Sequence, residues 1–380
     1  MKNLDVVIIG AGIVGCACAR ELSLAGLRVG VVEGKSPGCG ATAAGMGHLV
    51  VMDDSPAQLA LTHYSRSVWS ELMAELPGSV EYEACGTIWV AADEEEMAEV
   101  HNKSRICAAA GVQASVLGPA ELSKAEPHLR GGLAGGLLVP DDGVVYPPAA
   151  ADFFLQEAVQ AGAELLQGSE AVFASQGMVR LANGTKLTAG RILLAAGADC
   201  SLLPGLPIRR RKGHLLITDR YPGFVNHQLV ELGYLKSAHS TESDSVAFNV
   251  QPRRTGQLLI GSSRQFDNDD SRAETKIVGQ MLERALAYMP GLGQLSGLRL
   301  WTGFRAATPD KLPLIGPAGA LTGEVADPSL WLVAGFEGLG ITNAPGAARL
   351  LADQMLSRTS VIDPQPFLPN RFAAQEAVYA

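Results

Sequence analysis

The chain has 380 residues, 47% of them hydrophobic and 18% charged, with a net charge of −9 at neutral pH. That is enough for two domains, or for one large α/β domain with an inserted lobe, around a sizeable core. The acidic balance argues against a nucleic-acid partner, which leaves a basic footprint; the one dense basic run, Arg209 to Lys212, is short and reads as a solvated strand edge. Six cysteines (Cys16, Cys18, Cys39, Cys85, Cys107, Cys200) form no C-x-x-C pair, and no residues are assigned to a metal. The first residues already read as a strand, so no signal peptide is expected, and no apolar run reaches the roughly 18 residues of a membrane span. These features predict free thiols in a cytoplasmic setting, with attachment to the inner membrane face still compatible.

The stretch LDVVIIGAGIVGCACARELSLAGLRVGVVE opens with a buried strand, since DVVIIG is rich in β-branched residues. Gly10, Gly12 and Gly15 follow in G-x-G-x-x-G spacing. A helix with small residues on its sheet-facing side then runs to Gly26, and a second strand ends at Glu33. Gly10 suits a tight turn, Gly12 a close approach to a pyrophosphate, and Gly15 close helix–strand packing. The helix start offers free N–H groups to phosphates. An acid about 20 residues on suits the hydroxyls of a ribose and disfavours a 2′-phosphate. NAD and FAD both satisfy this pattern. The small-residue run SPGCGATAAGMGHL after Glu33 favours FAD, whose ribityl chain and ring system need close backbone approach.

Pro56 to Leu76 predicts an amphipathic helix with Tyr64 and Trp69 in the core. Val80 to Asp93 reads as two strands meeting near Cys85 and Gly86, and Asp93 to Gly111 as a helix with an acidic first turn that suits the helix dipole. A turn, a helix and a strand follow from Pro140. A hairpin then turns at Asn183–Gly184 and leads into the strand RILLAAG, ending at Gly197. From Pro207 to about Leu300 the segments HLLITD, SVAFNVQPR and GQLLIGSSR predict an antiparallel lobe, with a helix stopped by Pro290. The block from Asp327 to Leu356 predicts strand, glycine loop and helix, with the N–H groups of GFEGLG aimed forward. The fold class is therefore α/β: a Rossmann-like FAD-binding domain with an inserted, mainly antiparallel β substrate lobe. The expected division is 1–80, 141–206 and 301–380 for the cofactor domain, and 81–140 and 207–300 for the lobe.

In order, VVIIGAGIVG with Glu33, ATAAG, GTIWVA, DDGVVYP, RILLAAGAD, RRKGHLL, WTGFRAATPDKLPLIG and LVAGFEGLGITNAPGAARLL span essentially the whole chain. This pattern resembles the FAD-dependent D-amino-acid oxidase superfamily, near glycine oxidase, the sarcosine oxidase β subunit and D-hydroxyproline dehydrogenase. The resemblance implies that Gly10, Ala11, Gly12, Ile13, Val14, Gly15, Glu33, Gly34, Ala41, Thr42, Gly45 and Met46 line the FAD. Val172 would hold the adenine through its backbone, Ala196 and Gly197 would close the pyrophosphate side, and Gly303, Arg305, Gly338, Leu339, Gly340, Ile341 and Thr342 would lie toward the flavin ring. Thr42 stands where relatives with covalent flavin carry histidine, so non-covalent FAD is implied. Arg305 matches the carboxylate-binding arginine. Its other reading is an internal salt bridge, because a cation among apolar residues needs an anion.

The departures shape the substrate expectation. Glycine oxidases carry an arginine where the last glycine loop has Glu337, and a tyrosine in the strand holding Phe248 and Asn249. These differences point away from glycine and toward a D-hydroxyproline or D-proline type of substrate. Glycine or sarcosine oxidation, a 2-hydroxy-acid dehydrogenase on the same fold, and a flavin subunit without its own catalysis are the alternatives. The implied reaction is hydride transfer from Cα to flavin N5 with imine formation, a dehydrogenase being favoured over an oxidase. Arg305, His48, Glu337 and Asn249 are the candidate catalytic residues, and His214 is a further pocket candidate. The electron acceptor is open, and a hetero-oligomer with electron-transfer subunits is compatible with the family.

Overall fold

The computed structural model describes residues 3–199, 201–233, 244–266, 268–318, 321 and 327–372. Cys200 lies outside the described residues, and the other five cysteines are free thiols. The chain runs β1 (Asn3–Ile9), α1 (Ile13–Leu24), β2 (Val29–Glu33), α2 (Ala41–Ala44), β3 (His48–Leu49), α3 (Pro56–Leu72), β4 (Thr87–Ala91), α4 (Glu94–Ala109), β5 (Ser115–Leu117), α5 (Pro119–Ala125), β6 (Gly135–Val139), β7 (Gly143–Val144) and α6 (Pro147–Gln160). It continues through β8 (Glu164–Gln167), β9 (Ala171–Ser175), β10 (Met178–Leu181), β11 (Lys186–Leu194), β12 (Arg209–Arg220), β13 (Gln228–Glu231), β14 (Ser245–Pro252), β15 (Gln257–Phe266), α7 (Thr275–Tyr288), β16 (Gly297–Ala307), β17 (Leu314–Pro317), β18 (Leu330–Ala334) and α8 (Gly340–Met355).

The first sheet has the order β17-β18-β11-β1-β2-β8, and β10 pairs with β11 and β9. Its centre is parallel: β1 pairs in parallel with both β2 and β11, and β11 with β18. Both faces are covered, which is why DVVII is apolar at every position after Asp5. Val6 and Ile8 face the cluster formed with α1, α3, α6 and α8, whereas Leu4, Val7 and Ile9 face the opposite cluster. Each such fully buried side chain contributes about 1.5–3 kcal/mol.

The second sheet has the order β16-β12-β15-β14-β13-β4-β6-β5 and is antiparallel except where β13 meets β4. β4, β5 and β6 reach it from residues 87–139, separate in sequence from the strands β12 to β16 that make up the rest. Phe248 and Tyr288 stack at 4.5 Å under α7, in the core of this sheet.

Four details differ from the sequence expectation. The helix from Pro56 stops at Leu72, because Glu75 N donates to Leu72 O in a closing turn. The stretch 80–93 holds one strand, β4, and Glu83 contributes only an isolated bridge to Val144. The run Arg209 to Lys212 is not a solvated edge: β12 lies between β16 and β15, and the strand passes from its exposed start at Arg209 and Arg210 into the interior, where Arg211 and Lys212 are buried. Residues 301–307 pair along β12, so they belong to the second sheet rather than with the cofactor strands.

Candidate active site

The glycine turn forms as the spacing requires. Gly10 has φ +105°, and a Cβ there would lie 2.6 Å from Ala195 O. A Cβ on Gly15 would penetrate the carbonyl oxygen of Gly10, so α1 sits directly on the end of β1. α1 and α8 both begin without a side-chain cap and without an acidic residue in the first turn. Their leading N–H groups and positive dipole ends are left for an anionic ligand. Part of the first turn of α1 is served by the neighbouring segment, where Thr42 Oγ1 accepts from Ile13 N at 3.0 Å.

Glu33 Oε2 accepts from Ala11 N and its Oε1 from Lys35 N, each at 2.8 Å. These bonds fix the carboxylate and leave a second lone-pair direction on each oxygen for ribose hydroxyls. A Cβ on Gly34 would lie 3.6 Å from Glu170, at the start of the segment that carries Val172, whose side chain is exposed. Ala196 meets the Gly10 turn, with its Cα 3.2 Å from a Cβ built there, and Gly197 follows with φ +62°. A dinucleotide fits these residues: a glycine cradle, an uncapped helix end and a fixed acid lie in one line.

The far end of that line is a convergence of four segments. Gly303 has no side chain, and a Cβ there would overlap Ala44 of α2. Trp301 Nε1 donates to Ala44 O at 3.3 Å. A Cβ on Gly45 would lie 2.7 Å from Ile341 Cδ1, and one on Gly340 3.9 Å from Val14. Thr342 Oγ1 donates to His48 O at 2.8 Å, and Trp69 Nε1 donates to Thr342 O at 3.0 Å, anchoring the start of α8 from α3. The turn at Gly10–Gly15, the stretch Ala41–His48, the strand end Gly303–Arg305 and the loop Glu337–Thr342 therefore meet in space.

Arg305 lies at this meeting point. Its guanidinium rests on the backbone of Gly213, where a Cβ would come 2.5 Å from Nη1, and Nη1 donates to Ser263 O at 3.0 Å. Gly338 sits beside it, a Cβ there being 3.7 Å from Nε. No carboxylate pairs with Arg305 among the described residues. The internal salt bridge belongs instead to Arg211, the cross-strand neighbour of Arg305, which pairs with Glu337. Burial lowers the pKa of Arg305, while Glu337 opposes the shift. Burial also pushes Arg264 down to about 9; Glu337 pulls the other way, and Arg305 and Arg211 add repulsion. All three guanidiniums remain charged at neutral pH around one carboxylate.

Glu337 is thus tied to Arg211, with its backbone at φ +54° and its N–H donating to Ala306 O at 2.8 Å. Its Oε2 is buried without a partner among the described residues. The pair is itself buried, with side-chain exposures of 5% and 11%. Glu337→Ala should therefore destabilise the protein by roughly 3–5 kcal/mol, because it leaves the Arg211 cation buried without an anion. Chemical denaturation would show it, and adding Arg211→Met should recover most of the loss; a loss that the second change cannot recover would contradict the pairing.

His48 joins the site through β3. Its Nδ1 meets Gln228 Oε1, and its Nε2 faces Met46 Sδ at 3.4 Å and Asn249 Nδ2 at 3.5 Å. Burial lowers its pKa from 6.5 to about 4; the bond to Gln228 opposes the shift and the Arg305 charge adds to it. The unfolded chain binds this proton near 6.5 and the folded chain only near 4. Stability therefore falls as pH drops through that window, by about 3 kcal/mol at most, and not further below it. Thermal melts against pH should lose this limb in His48→Gln; an unchanged limb would show that the proton is taken up elsewhere.

His214 is buried apart from this group. Its Nδ1 bonds Ser263 Oγ at 2.9 Å and its Nε2 accepts from Glu274 N at 3.1 Å. Both ring nitrogens are used, so the pocket reading of His214 gives way to a structural one. Arg211, Gln228 and Ser263 were not anticipated. No local signal marked Arg211, because Arg209 and Arg210 are exposed while Arg211 and Lys212 are both buried, a pattern set by where β12 enters the sheet. Among the described residues no group of three or more His, Cys, Asp or Glu is placed to hold a metal, and no helix is long and apolar enough to cross a membrane.

Comparison with known proteins agrees with this architecture. Residues 5–354 match the family model described as FAD dependent oxidoreductase. The chain is 28% identical over 394 aligned positions to glycine oxidase of Pseudomonas aeruginosa, covering 96% of this chain and 98% of that one. It is 27% identical to hydrogen cyanide synthase subunit HcnC of the same organism, covering 100% and 99%. The crystal structure of glycine oxidase from Geobacillus kaustophilus superposes with a TM-score of 0.85 at 26% identity, over 98% of this chain and 99% of that one. With the glycine cradle, the fixed acid and nearly the whole length matched, the chain belongs to the FAD dependent oxidoreductase family, and FAD is its cofactor.

Proposed function

We propose that the protein oxidises a small amino acid or secondary amine whose carboxylate is held by Arg305. The observation that carries this reading is the state of Arg305 itself: a partly buried, desolvated cation with no carboxylate partner among the described residues, beside the segments that line the cofactor end of the molecule. Such a group is costly unless an anion reaches it, and its planar fork suits a carboxylate. Gly10 to Gly15, Glu33, Thr42, Gly45, Met46 and the start of α8 would hold FAD, without a covalent bond since position 42 is a threonine rather than a histidine, its hydroxyl accepting from Ile13 N. FAD supplies, when bound, the two-electron acceptor for conversion of the amine to an imine. The chain's own part is positioning: Arg305 anchors one end of the substrate, and Met46 and Gly261 offer an apolar wall. In this reading the first sheet serves the cofactor and the second the substrate, in a cytoplasmic protein.

Within that class we favour a cyclic substrate of D-hydroxyproline or D-proline type and a dehydrogenase rather than an oxidase. The unpartnered Oε2 of Glu337, close enough to act on the Arg305 charge, is a second buried acceptor that a ring hydroxyl would satisfy. Glycine is the second reading, favoured by the names of the relatives. HcnC is a subunit, and a protein electron acceptor would fit a similar assembly here.

Air-free titration with cis-4-hydroxy-D-proline, D-proline, sarcosine and glycine, followed by flavin absorption, tests the proposal. Bleaching by one of these supports it and identifies the class. Rapid return of colour in air would instead assign an oxidase. No bleaching by any amine, with chemically reducible FAD present, would overturn it in favour of a hydroxy-acid substrate or a non-catalytic flavin subunit.

A further inference from the structure

We propose that Asn249 receives the substrate's amine through its side-chain oxygen, and that Gln228 and His48 are positioning residues that hold the amide in that orientation. This rests on Arg305 as the carboxylate site. Gln228 Nε2 donates to Thr87 Oγ1 at 3.2 Å and to Gly143 O at 2.8 Å, which uses both of its hydrogens. Gln228 therefore turns its oxygen to His48 Nδ1, which must carry the proton. His48 Nε2 then presents a lone pair. Of its two neighbours, the Met46 sulfur and the Asn249 amide, only the Asn249 N–H can donate to it. A flipped amide would set oxygen against that lone pair. The relay thus leaves Asn249 Oδ1 as a buried atom without a partner among the described residues. A buried amide oxygen left unsatisfied costs about 1–3 kcal/mol, and a substrate N–H would satisfy it.

Position supports the assignment. Asn249 pairs across the sheet with Gly261, two residues before the Ser263 carbonyl that receives Arg305. A Cβ on Gly261 would lie 2.8 Å from Leu215 Cδ2 and 3.3 Å from Met46 Sδ, so its bare backbone lets these two apolar side chains pack beside Asn249 as a wall of the site. Leu215 stands opposite Trp301, and Trp301, Gly303 and Arg305 alternate onto one face of β16. Asn249 and Arg305 therefore look onto the same side of the sheet, with Met46 and His48 between them. Carboxylate and amine of one small molecule would be held from two strands.

The test uses the FAD-loaded protein and two planar ligands that cannot be oxidised in this way: pyrrole-2-carboxylate, which carries a ring N–H, and 2-furoate, which carries a ring oxygen in its place. Binding is read from perturbation of the flavin spectrum. The wild type should prefer the pyrrole. Asn249→Leu should weaken the pyrrole about tenfold or more and move 2-furoate by less than about twofold, as expected for loss of one buried hydrogen bond. Gln228→Met, which leaves Asn249 in place but frees His48, should erode the same preference without weakening 2-furoate, and it serves if the Leu variant fails to fold. No preference in the wild type, or equal weakening of both ligands in the variants, would overturn the proposal. Arg305→Ala should weaken both ligands together. If it weakens neither, the carboxylate site is wrong, and that failure is separate from the N–H preference.

Discussion

Replacing Arg305 with alanine should raise the apparent substrate KM by about two orders of magnitude while FAD stays bound. The estimate follows from losing a paired, charge-assisted contact worth about 1.5–3 kcal/mol per hydrogen bond, with about 1.4 kcal/mol per tenfold change. Arg305→Lys should recover little, because an ammonium cannot reproduce the two parallel donors of the fork. The fold should tolerate the change: Arg305 is a desolvated cation whose only hydrogen bond among the described residues runs to Ser263 O, and Glu337 keeps its partner in Arg211. Steady-state kinetics beside the flavin absorbance of the purified variant would decide the matter. Loss of the yellow colour would place Arg305 among the groups that hold the cofactor; an unchanged KM would remove it from the site.

Gly15→Val should yield a colourless protein of much lower melting temperature. The new Cβ would collide with the carbonyl of Gly10, which is backbone and cannot swing aside. α1 would have to lift from β1, taking its N–H groups away from the pyrophosphate position and opening the packing of Cys16, Ala17 and Ala19. Overpacking against side chains costs typically about 1–3 kcal/mol, and a clash with fixed backbone exceeds that range. Gly26→Ala is the comparison. Gly26 has φ +87°, and nothing lies within 4 Å of its would-be Cβ, so only backbone strain of about 1 kcal/mol is added. FAD content by absorbance ratio and a thermal melt distinguish the two. A Gly15→Val protein that retains FAD would mean that the turn is not the cofactor cradle.

The sequence was most legible where the physics is local. The glycine turn, α1 and Glu33 lie within one βαβ unit, and each residue's role follows from its neighbours. The parallel strands around β1 were legible too, because burial on both faces leaves an uninterrupted apolar run. Arg305 was conspicuous as a cation among aromatics. What joins it to its surroundings was not. Arg211 meets Glu337 across 126 positions and His48 meets Gln228 across 180. Those contacts depend on the order of strands in the second sheet, and no residue near Arg211 or Gln228 encodes that order. The run RRRK shows the limit: as a string it is four cations on a surface, and only the placement of β12 between β15 and β16 sorts them into two outward and two inward. His214 failed for the same reason, since Ser263 and Glu274 come to it from distant elements and consume both of its nitrogens.

The bare contact of Gly303 with Ala44 has a mechanical consequence. It sets the backbone of the strand that carries Arg305 against α2, which itself hydrogen-bonds to the start of α1 through Thr42. Only the Ala44 methyl lies between the two backbones. Sliding at this point would drive the strand into the Ala44 methyl, so the packing helps to set the distance from Arg305 to the cofactor segments. In the proposed reaction the site would work as a gauge, favouring a molecule whose acid group and oxidisable carbon match that length over a longer one.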